Sequence, residues 1–412
     1  MLAVAIRTAQ RMGMHNQSAY AGLTALEAEM RRRLWWSLVF FDHRICEVAD
    51  YRTTTLTPVW DCSTPLNVND FEIRADTRTS PTAHDKPTEA VFAVIRNELA
   101  DFVRHSVFHL NFVNPSLNAI AQFKNRQHGL GPEAGELITL EKTIEEKYLA
   151  FCNPEDPLHY MTIWTTRGFL ARNRLLEHYS RHSTPSVRPT DVQRNVALDY
   201  ALSMLECDTK LRTSPLTKGY LWLVDFHPPA LAYLHILNDM RKRSAIDLLA
   251  GKAWDVIGNN YESLVARLAQ QDGREQGVYR IFTAFSHVIL QAWDARAALL
   301  VQQRKPSERP PRIVSDIKEK MVKMSPAFSP PPTDVEQPGT SSLGFYNAAS
   351  HSVAAMPMEL SSYPGTEGRQ GFTGPGPAGY FSDIPEQTIM DAEMDQLWTE
   401  MDRGWMNGAQ GW

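Results

Sequence analysis

No C-x-x-C pair occurs among the four cysteines, Cys46, Cys62, Cys152 and Cys207, which stand 16, 90 and 55 positions apart. That spacing supplies neither a zinc knuckle nor a thioredoxin motif, and it suits a cytosolic or nuclear protein with reduced thiols. A basic surplus is missing too, since 42 Lys and Arg against 47 Asp and Glu leave a formal charge of −5. A chain so balanced cannot hold a nucleic-acid backbone by electrostatics alone. No apolar run approaches the length of a membrane span, and no charged-then-apolar signal segment follows Met1. Period-2 alternation between turn signals, the mark of strands, is essentially absent.

Enzyme motifs are equally scarce. There is no G-x-S-x-G and no P-loop. Gly374-Pro-Gly-Pro-Ala-Gly379 fits G-x-G-x-x-G in form only, because no strand precedes it and its prolines deny it a helix start. His105 and His109 have the four-residue spacing of zinc ligands, but neither the adjacent Glu nor a third ligand accompanies them. Asp42, His43 and Cys46 could be drawn as a nucleophile site. Asp42 and Cys46 are helix neighbours with no oxyanion donor in view, so a buried structural cysteine is the better reading.

What the chain does have is helical periodicity, interrupted at Pro and Gly, over residues 1–304. The expected class is all-α. Ala3–Met14 already reads as helix with no leader or cap before it, so an upstream part is expected to be missing. Further helices are expected at Glu133–Cys152, Pro157–Arg181, Thr190–Arg212, Tyr220–Arg241, Lys252–Gln270 and Gln276–Gln303, with a restart at Pro87 after an irregular stretch, Tyr51 to Ala83. Residues 305–382 read as a disordered linker. Twelve of the 26 prolines fall between Pro306 and Ser382 among many Ser and Gly, and Val314–Met324 is the one short candidate for a transient helix. Residues 383–412 form a third part, with seven acids and no Lys or Arg between Asp383 and Asp402. Met390, Met394, Leu397 and Met401 would share one helical face there, with Trp398 and Trp405 beside them.

The helix from Leu26 to Ile45 is the most distinctive segment. Thr24 with Glu27 three positions on is a capping box. Leu26, Met30, Leu34, Leu38, Phe41 and Ile45 make an apolar stripe, expected to face the core. Arg31-Arg-Arg-Leu-Trp-Trp36 sets three arginines directly before two tryptophans. Three adjacent arginines fan around a helix rather than forming one phosphate-binding patch, so a core helix with a basic edge is the favoured reading. Glu27→Arg31 and Glu29→Arg33 are i,i+4 pairs in the favourable order.

Ala5-Ile-Arg-Thr-Ala-Gln-Arg-Met-Gly-Met-His15, Glu27-Ala-Glu-Met-Arg-Arg-Arg-Leu-Trp-Trp-Ser-Leu38 with Asp42-His-Arg44, and the loop Asp61 to Asp70 occur in that order. Together they resemble the regulatory middle homology domain of fungal zinc-cluster (Zn2Cys6) transcription factors, densely over residues 3–73. The resemblance implies a nuclear regulator of transcription. Glu27, Arg31, Arg32, Arg33, Trp35, Trp36, Asp42, Asp61, Asn67 and Asp70 would be its structural determinants, with Arg31–Arg33 pairing to acids such as Asp61 or Asp70. Ala49-Asp-Tyr-Arg-Thr53 replaces the glycine and Arg-Pro usual in that family, and the six-cysteine cluster is not in this chain. No cofactor is therefore expected here, zinc belonging only with that cluster, and DNA would be reached through a missing domain or a partner.

The acidic segment has the composition of an activation tail, in which Met390, Met394, Leu397, Trp398, Met401 and Trp405 would meet a coactivator or the transcription machinery. A homodimer or heterodimer fits the same reading. One alternative is an interaction module that partners a full-length zinc-cluster factor without touching DNA. A further one, a helical enzyme or ligand carrier, requires a polar pocket near His105, His109 or His227.

Overall fold

A computed structural model of the chain describes residues 1–48, 56, 60–106, 136–182, 188–243, 248–269, 275–304 and 309–324. Eleven α-helices and no strand occur among the described residues. The first three are α1 (Leu2–Arg11), α2 (Ala25–Val48) and α3 (Val91–His105). α4 (Glu136–Lys147), α5 (Pro157–Arg181) and α6 (Asp191–Thr213) follow. The remainder are α7 (Leu221–Asp225), α8 (Ala230–Lys242), α9 (Leu248–Ala269), α10 (Glu275–Gln302) and α11 (Arg312–Met324).

Local chemistry sets many of these boundaries. α1 ends in a Schellman motif: the Gly13 amide donates to the Gln10 carbonyl at 2.9 Å and the Met14 amide to the Ala9 carbonyl at 3.0 Å. Gly13 sits at φ +71°, and a Cβ added to it would lie 2.8 Å from the Ala19 Cβ. Gly13→Ala should therefore lower stability by about 1–2 kcal/mol in denaturant unfolding. α5 opens with Asp156 accepting from the His159 amide at 2.9 Å and with Pro157 in its first turn. Thr190 and Gln193 cap α6 reciprocally.

Tyr220–Arg241, expected as one helix, is two. Pro228 and Pro229 remove two amide donors and crowd the preceding carbonyls, so α7 stops at Asp225 and α8 starts at Ala230. The break leaves Phe226 and His227 in a turn beside α2.

The largest core cluster is built by α5, α6, α8, α9, α10 and α11, with Trp254 and Trp293 edge-to-face at 6.0 Å. α11 lies within the stretch read as linker. Ile313, Val314 and Ile317 are buried in that cluster, so this helix is docked rather than transient, and the folded part runs past residue 304. Composition hid it because the prolines that mark a linker, Pro310 and Pro311, stand where a helix tolerates them, immediately before its first turn. A second cluster joins α3, α4 and α5, and a third joins α1, α2 and the loop after α2.

α2 takes only part of the expected stripe inward: Leu38 is buried and Phe41 half-buried, but the other four members face out. Leu26, Met30, Leu34 and Ile45 are 37%, 53%, 48% and 44% exposed, whereas Glu29 is 1% and Arg32 7% exposed. The core takes the face carrying Ala28, Trp35, Trp36 and Val39. Each tryptophan buries more apolar area than any single aliphatic residue of the stripe, and the charges drawn in with the pair neutralise each other.

Candidate functional site

The charge cluster begins with Glu29. Its carboxylate accepts from Arg32 Nη1 at 3.1 Å, from Arg33 Nε at 3.2 Å and from the Leu66 backbone amide at 3.1 Å. Burial outweighs these three donors and pushes the Glu29 carboxyl above its ordinary value. Arg33 extends the chain of contacts through Nη1 to the Asp70 carboxylate at 2.8 Å. Arg32 lies with its guanidinium 5.3 Å from the Tyr20 ring centre, and the Tyr20 hydroxyl donates to the Met14 carbonyl at 2.6 Å. Among the described residues Arg31 reaches only the Met12 carbonyl, at 3.5 Å, and so differs from its neighbours.

Three tryptophans occupy the buried side of the same helix. Trp60 presents its ring edge-to-face to Trp35 and to Trp36, each at 5.9 Å. His15 also lies against Trp35, at 5.6 Å. The Trp36 indole donates to the Ser63 carbonyl at 2.9 Å, so ring packing and a hydrogen bond fasten the loop at adjacent points.

The loop has further anchors. Asp61 accepts from the Gln17 amide at 2.7 Å, and its own amide donates to the His15 carbonyl at 3.2 Å. It thus serves the turn after α1 and, among the described residues, pairs with no arginine. Asp42, buried on α2, accepts from the Leu56 amide at 3.3 Å. Asn67 satisfies three neighbours at once: its amide donates to the carbonyls of His84 and Lys86, both at 2.8 Å, and its oxygen accepts from Thr88 at 2.8 Å. It therefore ties the end of the loop to the approach of α3. Glu27 stands apart, closing the cap with Thr24 at 3.2 Å.

The structure brings Arg32, Arg33, Asp70, Trp35 and Trp36 together around Glu29 and Trp60, two residues the motif reading did not single out as determinants. Glu29 was visible only as the partner of an i,i+4 pair. Trp60 carried no local signal, because its burial depends on a loop returning to α2.

This arrangement fastens a loop and offers little for catalysis. Burial pushes the Cys62 thiol up to about 12, which leaves it a packing group. Among the described residues, no group of three or more His, Cys, Asp or Glu is placed to hold a metal. No helix among them is long and apolar enough to cross a membrane. His109, the Cys46 and His105 side chains, and Met390, Met394, Leu397, Trp398, Met401 and Trp405 lie outside the described residues.

Residues 1–162, which contain every contact of this loop-fastening cluster, match the model of the fungal specific transcription factor domain. The chain is 52% identical along its whole length to the transcriptional regulator nsrM of Aspergillus novofumigatus, covering 54% of that protein. Over 80% of the chain it is 53% identical to the transcriptional regulator AacuB of Aspergillus aculeatus, covering 43% of it. The aurofusarin cluster transcription factor aurR2 of Gibberella zeae is 24% identical over 82% of the chain and 48% of its own length. The chain thus spans about half the length of the curated relatives it matches. No solved structure matches it. Within the matched residues, the arginine–tryptophan helix and its loop are one buried unit that begins at the α1 turn and ends at α3.

Proposed function

We propose that this protein is a nuclear regulator of transcription and not an enzyme, with targets that include genes of a biosynthetic cluster. The observation that carries this reading is the 52% identity along the whole chain to a named transcriptional regulator. The cluster transcription factor among the relatives supports the choice of targets. In this reading the helical part, stiffened by Glu29 and the tryptophans, is the regulatory body. Residues 383–412 are the output, engaging a coactivator or the transcription machinery. DNA is reached through a partner or through a domain outside these 412 residues.

The test is a reporter driven by residues 383–412 fused to a foreign DNA-binding domain. Activation should rise roughly tenfold or more over the DNA-binding domain alone, the loss of apolar anchors from a short recognition helix being worth at least that much. Alanine at Met390, Met394, Leu397, Trp398, Met401 and Trp405 should return it to background. A silent fusion would remove the activator reading.

A second reading is favoured by the exposed stripe Leu26, Met30 and Leu34 on α2. It makes the domain an interaction module that partners a full-length relative. It predicts a silent tail together with co-purification of that relative, lost in Met30→Glu.

A further inference from the structure

Phe226 and His227, released from helix by the two prolines after them, close a circuit of rings with α2. Phe40 and Phe41 lie 6.0 Å apart, Phe41 and Phe226 5.8 Å, Phe226 and His227 5.2 Å, and His227 and Phe40 5.3 Å. Two guanidinium groups lie against rings of this circuit. Arg44 lies 5.6 Å from the Phe226 ring centre, and its Nε donates to the Phe226 carbonyl at 2.9 Å. Arg96, on α3, lies 4.3 Å from the Phe40 centre and 5.5 Å from that of Phe92.

Among the described residues Arg96 meets no acid. Arg32, Arg33, Arg174, Arg212 and Arg243 each meet a carboxylate. Arg96 Nε is shut off from solvent with no acceptor among the described residues. Burial alone pushes its guanidinium down to about 10, with no carboxylate acting against it. Ring faces recover only part of what a guanidinium loses when it leaves water. The residue as a whole stays part-exposed.

We propose that Arg96 and the rings around it form a binding site for a small aromatic carboxylate. The fork of a guanidinium matches a carboxylate in plane and spacing. Beside it stands the part-exposed ring of Phe92, and Phe40 carries the circuit on to the part-exposed rings of Phe41 and Phe226, surfaces suited to a flat apolar body. Arg44 is already engaged by the Phe226 carbonyl, which favours one negative charge over the two of a phosphate. In a transcription regulator such a ligand would be the effector. That role rests on the proposed function, whereas binding to the purified chain does not.

The experiment is calorimetric titration of the full chain with 1-naphthoate, its neutral counterpart 1-naphthamide, and inorganic phosphate. Naphthoate should bind and naphthamide should not. Arg96→Met, which replaces the uncompensated charge by an apolar chain, should keep or raise the Tm while weakening naphthoate about tenfold to a hundredfold. Should Arg96→Met not fold, Arg96→Lys keeps the charge on the rings, removes the fork and should weaken naphthoate about tenfold. No binding at millimolar naphthoate, equal binding of naphthamide, or affinity unchanged in the variants would overturn the site. Phosphate binding as tightly as naphthoate would overturn the ligand class.

Discussion

Replacing Glu29 by alanine is expected to cost about 3–5 kcal/mol in urea unfolding, the range for removing one partner of a buried ion pair. The residue is 1% exposed, and its loss strands the Arg32 guanidinium, 7% exposed, together with the Leu66 amide. Two controls separate this role from ordinary helix charge. Glu27→Ala removes a cap at the solvent-facing start of α2 and should cost within about 1 kcal/mol. Asp70→Ala removes a carboxylate whose side chain is 68% exposed, and should likewise cost about 0–1 kcal/mol. The pH dependence has a definite sign. Burial raises the Glu29 carboxyl above its ordinary 4.5, so folding takes up a proton there. Its contribution is therefore greatest below 4.5 and is lost as pH rises through the raised value. Glu29→Gln removes the titration, so the wild-type advantage over Gln should grow between pH 8 and pH 5. An advantage that shrinks over that interval would mean the carboxyl is held down by its arginines instead.

The all-helical class and most helix positions were legible, because caps and 3.6-residue periodicity are local. Pro157–Arg181 has the expected bounds, and the Thr24–Glu27 cap stands as written. What was not legible depended on long-range return of the chain. An apolar stripe marks a buried face only when nothing heavier competes, and on α2 the competitors were Trp35 and Trp36. Their burial required Trp60, 24 positions beyond Trp36, to lie across both. The Arg33–Asp70 pair was within reach of charge reasoning, since a loop rich in acids follows a helix rich in arginines. Asp61 was not separable from Asp70 on that ground. Only the fold shows that it meets the Gln17 amide at the start of the loop. Arg96 gave no signal at all, because an arginine without an acid is recognisable only once its surroundings are known.

Trp60→Ala is the second large effect, about 3–5 kcal/mol, as for an aromatic side chain deleted from a core. Trp60 is 4% exposed, and its ring packs edge-to-face on both Trp35 and Trp36. The more decisive measurement is how this site combines with Glu29. Trp60 and Glu29 hold the same loop, one through ring contacts near Asp61 and the other through the Leu66 amide. Once either lets go, the other has less ordered loop left to hold. The milder pair, Trp60→Phe and Glu29→Gln, keeps the double variant folded, and its loss should fall short of the sum by about 1 kcal/mol. Trp254 packs on Trp293 in the separate cluster of α9 and α10, so Trp254→Phe should add to Glu29→Gln within about 0.5 kcal/mol. If the Trp60 pair adds as fully as the Trp254 pair, the loop is held at two independent points and the buried unit does not exist.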